Sequence, residues 1–83
     1  MFKLSKLDNG FQVKKYTTVG PCGFLAVVAT KDCLDAAGAA RVLMDAGVEL
    51  FSLAAALQRL NSGAAARATF GRDGKLFYLD GAA

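Results

Sequence analysis

Residues 2–18 read FKLSKLDNGFQVKKYTT, and this stretch decides the fold. Over residues 2–7, apolar and polar side chains alternate with the two-residue period of a β-strand. Asn9-Gly10 is a strong hairpin signal, because both central residues of a type I′ turn require positive φ. Residues 11–18 are rich in strand-forming side chains and predict the returning strand. The stretch therefore predicts an antiparallel hairpin on which the rest of a sheet can be built.

The sequence after this hairpin predicts a turn and a third strand. Residues 20–23 (GPCG) combine a fixed proline φ with two permissive glycines, which is typical of a turn. Residues 24–29 (FLAVVA) are a short apolar run without alternation. Such a run predicts a strand that is buried on both faces and therefore central in its sheet.

Two helices are predicted next. Thr30 as N-cap and Asp32 in the first turn predict a helix over residues 31–46, closed by Gly47. A second helix is expected from about Glu49 or Ser52 to Asn61, before Gly63. Its predicted apolar stripe consists of Leu50, Leu53, Ala54, Leu57 and Leu60.

The last part of the chain predicts a second hairpin. Residues 66–70 alternate, residues 71–74 (GRDG) form a turn, and residues 75–79 (KLFYL) are apolar on both sides, so both faces of this strand are expected to be covered. The predicted order is β-β-β-α-α-β-β. This order indicates an α+β fold with a mostly antiparallel sheet and a helical pair on one face, in a single domain over residues 1–83.

Composition excludes several functions. The 83 residues are 54% hydrophobic and 20% charged, and the net charge is +3. A chain of this composition is too apolar to be disordered, and its high apolar content favours self-association. The chain has no histidine and two cysteines, so nucleophilic triads and His- or Cys₄-ligated metal sites are excluded. No phosphate-binding glycine motif is present. We therefore expect no enzyme activity, catalytic residue, cofactor, metal or small-molecule substrate.

Cys22 and the cellular location leave narrower expectations. Cys22, in the Gly-Pro-Cys-Gly turn, is either a reactive thiol activated by backbone amides or an inert turn residue. The longest uncharged apolar run, residues 24–30, is too short to span a bilayer, and charges interrupt the first six residues, unlike a signal peptide. These features predict a cytoplasmic protein without a membrane partner.

The first functional hypothesis is a protein-interaction module whose partner is another protein or a second copy in a homo-oligomer. Tyr16, Phe51 and Tyr78 are candidate interface residues, because each lies off the main apolar phase of its element and aromatic side chains are enriched at interfaces. Ordinary packing is the alternative for all three. An accessory or inhibitor protein of the phage or mobile-element type fits this class.

The second hypothesis is nucleic-acid binding. From residue 41 to residue 79, the order helix, turn, helix, hairpin resembles a winged helix. The resemblance implies that nucleic acid would be contacted by the second helix and the basic hairpin, through Gln58, Arg59, Arg67, Arg72 and Lys75. However, the second helix begins with Ser52-Leu53-Ala54 rather than with a set of polar base-reading side chains.

Overall fold

The computed structural model describes residues 1–81 and has the predicted α+β fold. Five antiparallel strands form one open sheet in the order β3-β2-β1-β4-β5, and two helices pack on it. The elements are β1 (Phe2–Leu7), β2 (Gly10–Val19), β3 (Phe24–Cys33), α1 (Ala36–Asp45), α2 (Leu50–Ser62), β4 (Arg67–Phe70) and β5 (Leu76–Asp80).

Strand β1 is the centre of the sheet, because β2 pairs on one side of it and β4 on the other. Leu4 lies opposite Val13 of β2 and Ala68 of β4, and all three are buried. Side chains of directly opposite residues share one face of a sheet. The alternation predicted for residues 2–7 is therefore confirmed, and this face of β1 contributes to the core.

Both helices cover that same face. Helix α1 packs against β2 and β3, and α2 packs against β1, β4 and β5. The helices contribute Ala39, Leu43, Leu53, Ala56 and Leu60 to the core. The opposite side of the sheet, which we call the open face, carries no helix from residues 1–81. The layer order therefore leaves half of the sheet surface available for contacts.

Helix α1 begins later than predicted. The N-cap is Asp35, whose side-chain Oδ1 accepts a hydrogen bond of 2.8 Å from the backbone N–H of Gly38. The predicted start at Thr30 is wrong, because residues 30–33 continue β3 and pair with β2 as far as Phe11 opposite Cys33. A side-chain hydrogen bond from Gln12 Nε2 to Asp32 Oδ1, at 3.0 Å, adds to this pairing.

The first hairpin is confirmed, but its turn is not of type I′. Asp8 and Asn9 are the central residues, and neither has positive φ. Gly10 opens β2 at φ +157, where a Cβ would collide with the carbonyl oxygen of Cys33. Glycine is therefore required here because β2 and the end of β3 approach closely.

The position of β3 is the main departure from the sequence prediction. Residues 24–29 do form a strand, but β3 lies at the edge of the sheet rather than at its centre. Every residue from Thr17 to Ala29 except Ala26 is exposed. The run is apolar, as a buried strand would be, but no described segment of the chain covers it.

Helix α2 and strand β5 also differ in which side chains they bury. In α2, Leu50 and Ala54 are exposed, whereas Ala56 is buried, so the buried stripe is shifted from the predicted one. In β5, Phe77 and Tyr78 are exposed, so the expected cover over its second face is absent from residues 1–81. Neither helix in the described residues is long and apolar enough to cross a membrane.

Candidate interaction surfaces

The first candidate surface is the unpaired edge of β3, which we call the β3 edge and define as residues 24–29. These six residues contain no charge and no proline. Their large apolar side chains are Phe24, Leu25, Val27 and Val28, with exposed fractions of 69%, 53%, 48% and 53%. One side of the strand pairs with β2, and the backbone groups on its other side face no strand of the described part of the chain.

The other edge of the sheet, β5, is less suited to strand pairing. It has only five residues, and its last residue, Asp80, forms a salt bridge of 3.0 Å with Arg67. Short strands and charges are the means by which soluble proteins keep sheet edges from pairing. The β3 edge has no charged residue, and its bulge opposite Lys15 and Tyr16 is the only such protective feature in that stretch. The two edges therefore differ in their capacity to bind another strand.

The second candidate surface lies on the open face, where aromatic side chains from β2 and β5 surround a lysine of β1. We call it the open-face patch and define it as Lys3, Tyr16, Leu25, Phe77 and Tyr78. Together with Met1 and Thr69 these residues line a pocket of about 230 Å³. This is smaller than the roughly 300–1,000 Å³ of most small-molecule sites. The pocket has the dimensions of a shallow apolar depression and not of an enclosed ligand cavity.

A bulge allows two neighbouring aromatic residues to reach the same patch. In the β4–β5 pairing, Tyr78 lies opposite Thr69 and Leu76 opposite Phe70, so Phe77 is an extra residue between the two pairs. A bulge of this kind interrupts the alternation of a strand and redirects a side chain. Phe77 and Tyr78 consequently both line the pocket, with exposed fractions of 75% and 55%.

The open face also carries concentrated positive charge. Lys3 lies directly opposite Lys14 in the β1–β2 pairing. Like charges at directly opposite positions destabilise a sheet. The ammonium of Lys3 lies 5.5 Å from the centroid of the Tyr16 ring, within cation–π range. In residues 1–81, neither lysine has a carboxylate within 4.0 Å, so their charge is not neutralised by an ion pair.

Two arginines lie at the borders of this face. Arg67 lies opposite Ser5, next to the buried Leu4–Ala68 pair, and is therefore on the open face, where Asp80 neutralises it. Arg72, in the β4–β5 turn, donates a hydrogen bond of 3.0 Å from Nη2 to Thr18 Oγ1 on β2. This contact ties the turn to the β2–β3 hairpin, while no carboxylate in the described residues pairs with Arg72.

The structure brings together two of the three predicted interface residues. Tyr16 and Tyr78 line the same pocket, although they are far apart in the sequence. Phe51 lies on α2, on the helical side of the sheet, and is 84% exposed. Sequence reasoning missed Lys3, Leu25 and Phe77, because their meeting depends on strand order and on a bulge. The apolar character of β5 on both sides was the available signal for Phe77.

The residues predicted for a winged helix do not share one surface. Gln58 and Arg59 are exposed on the side of α2 away from the buried Leu53 and Leu60. Arg67 is on the open face, across the sheet from that helix. The remaining two, Arg72 and Lys75, are exposed in the β4–β5 turn. The hairpin is part of the five-stranded sheet and not a separate wing.

The two cysteines differ in accessibility. Cys22 is exposed in the turn between β2 and β3, and Cys33 is partly buried at the end of β3 against the core. Both thiols are free. Cys22 is therefore placed where a reagent can reach it.

Comparisons of the chain with protein-family models, with curated proteins and with solved structures find no match.

Proposed function

We propose that this protein is a non-catalytic interaction module that self-associates, with the β3 edge as the contact between two copies. One observation supports this proposal. The uncharged apolar run of β3, residues 24–29, lies at the edge of the sheet, with its large side chains about half exposed. An accessory or inhibitor protein could use such an edge to assemble with itself or to capture a partner strand.

A second copy is a suitable occupant, because the edge can pair with its own symmetry mate. Antiparallel pairing of two β3 edges satisfies the backbone groups that face outward and creates one continuous sheet of ten strands. Each copy then presents the uncharged segment 24–29 to the same segment of its partner. No charged residue of this segment lies at the centre of such a contact, and apolar side chains of both copies are buried there.

The free energy gained by burying these apolar side chains is comparable in size to the cost of association. Complete burial of an exposed Val, Leu or Phe side chain contributes about 1.5–3 kcal/mol. The four large side chains of the β3 edge are about half exposed, and a partner strand covers only the flank of each that faces it, so about 8 kcal/mol for the two copies is the upper limit of the apolar gain. Association costs about 4–15 kcal/mol in lost freedom. Apolar burial and new backbone hydrogen bonds, at about 1 kcal/mol each, together offset a cost of that order.

Sedimentation equilibrium with two matched variants tests the proposal. Val27→Lys places a charge on the β3 edge, and Met44→Lys places the same charge on α1. The two residues are equally exposed, at 48% and 49%. We expect wild type and Met44→Lys to dimerise alike. Val27→Lys should weaken the dimer about thirtyfold, because the loss of roughly 1 kcal/mol in each copy adds up to about 2 kcal/mol.

Either of two results would contradict the proposal. A wild-type protein that remains monomeric at millimolar concentration has no such interface. Equal dissociation constants for Val27→Lys and Met44→Lys would place the interface elsewhere. Far-UV circular dichroism checks that both variants are folded, as we expect because neither substituted side chain is buried.

A further inference from the structure

We infer that the open-face patch is a binding site for single-stranded nucleic acid. Three exposed or partly exposed aromatic rings, Tyr16, Phe77 and Tyr78, lie beside unneutralised basic groups on a sheet surface that no described segment covers. Aromatic rings on which bases stack, combined with a basic surface along the phosphate backbone, are the two requirements of single-strand binding. This surface shares Leu25 with the β3 edge but otherwise consists of other residues, and it contains none of the residues expected for a winged helix.

Charge complementarity supports a polyanion as the occupant. Lys3 and Lys14 lie opposite each other, which is unfavourable until an anion lies between or above them. Arg72 extends the positive charge to the β4–β5 turn. Among residues 1–81, Asp80 is paired with Arg67, Asp32 accepts a hydrogen bond from the side-chain amide of Gln12, and Asp73 in the turn accepts one from the backbone N–H of Lys75. The patch therefore carries net positive charge around an apolar centre.

The dimensions favour a single strand over a duplex. Adjacent strands lie about 4.8 Å apart, so a five-stranded sheet presents a surface roughly 20 Å wide, which accommodates a few unstacked nucleotides. Reading a duplex requires an element that enters a groove, whereas the patch is a shallow depression. The flat rings of Phe77 and Tyr78 are accessible to stacking, because they are 75% and 55% exposed.

Fluorescence anisotropy with labelled dT8, at 20 mM and 150 mM salt, tests the inference. We expect wild type to bind dT8 with a steep salt dependence and a matched 8-base-pair duplex at least tenfold more weakly. Tyr78→Ala should weaken dT8 binding about tenfold, as expected for the loss of one stacked base. Phe51→Ala removes a ring from the helical side that is even more exposed, at 84% against 55% for Tyr78, and should leave the affinity unchanged.

Charge variants give a second readout. Lys3→Gln should reduce the slope of log affinity against log salt by about 0.7, the value for one phosphate contact to a single strand. Arg59→Gln, on the outer side of α2, should leave the slope unchanged. Because the substituted groups are not in the core, these variants are expected to stay folded, and circular dichroism verifies this.

Several outcomes would overturn the inference. These are no dT8 binding at 20 mM salt, equal affinity for the duplex, or equal weakening by Tyr78→Ala and Phe51→Ala. A hexaglutamate peptide that binds as tightly as dT8 would show that the patch takes an acidic protein segment instead. None of these results bears on dimerisation through the β3 edge, which sedimentation measures separately.

Discussion

The turn between β4 and β5 is joined to the turn between the two helices, and glycine substitutions test how much stability this junction provides. Gly74 is buried at φ +80, and its carbonyl oxygen accepts a hydrogen bond of 2.7 Å from the backbone N–H of Glu49, the N-cap residue of α2. A Cβ at position 74 would collide with the carbonyl oxygen of Gly47. Gly20, in the exposed turn between β2 and β3, has nearly the same φ, +74, but a Cβ there would meet nothing within 4 Å.

The two alanine variants therefore share one cost and differ in another. Alanine in the left-handed region costs about 1–2 kcal/mol in both. In Gly74→Ala, relief of the collision must also displace Gly47 and disturb the Glu49 hydrogen bond, which adds about 1–3 kcal/mol. We expect Gly20→Ala to lower the free energy of unfolding by about 1–2 kcal/mol. Gly74→Ala should lower it by about 2 kcal/mol more, or roughly 8–16 °C more in Tm.

Urea unfolding followed by far-UV circular dichroism at 25 °C measures this difference. The comparison is informative because both variants change the backbone entropy of the unfolded chain in the same way. If Gly74→Ala and Gly20→Ala destabilise the protein equally, the contact between the two turns contributes nothing, and the reasoning is refuted.

Three further substitutions and one reagent test the remaining structure. Phe70→Ala removes the largest fully buried side chain and should cost about 3–5 kcal/mol in urea unfolding; a loss below about 1 kcal/mol would be incompatible with its burial. Asp35→Ala should cost about 1 kcal/mol in thermal unfolding as the loss of an N-cap. Asp32→Ala should cost less, since Asp32 makes only an exposed side-chain contact. A larger loss of stability for Asp32→Ala than for Asp35→Ala would instead support a helix that begins after Thr30. A disulfide reagent should modify Cys22 in the folded protein well before Cys33, and simultaneous reaction of both thiols would contradict the partial burial of Cys33.

Local sequence signals predicted the order of the elements, because each one depends on neighbouring residues. The alternation in residues 2–7 and the glycine after α2 needed no knowledge of the tertiary structure. The start of α1 was mispredicted, because Thr30 and Asp32 are suitable as capping residues but also fit a strand. Pairing with β2 extended the strand to Cys33 and left the cap to Asp35.

The positions of the candidate surfaces could not be predicted from local signals. The apolar run 24–29 correctly indicated a strand that avoids water, but periodicity does not show whether this chain or a second one covers it. The open-face patch depends on the order of strands, since Tyr16 and Tyr78 meet across β1 and β4 only because these strands lie between β2 and β5. A bulge beside Phe77 then adds a ring that strict alternation would have placed on the other face.

Hydrogen exchange at two protein concentrations tests the central claim, that the β3 edge is the contact between two copies. Amide exchange is measured by mass spectrometry at 5 μM and 500 μM, with the β5 edge as an internal reference. If two β3 edges pair, amides in residues 24–29 exchange more slowly at the higher concentration, while those in β5 do not change. Exchange in residues 24–29 that is independent of concentration, or slowing in β5 instead, would contradict the account.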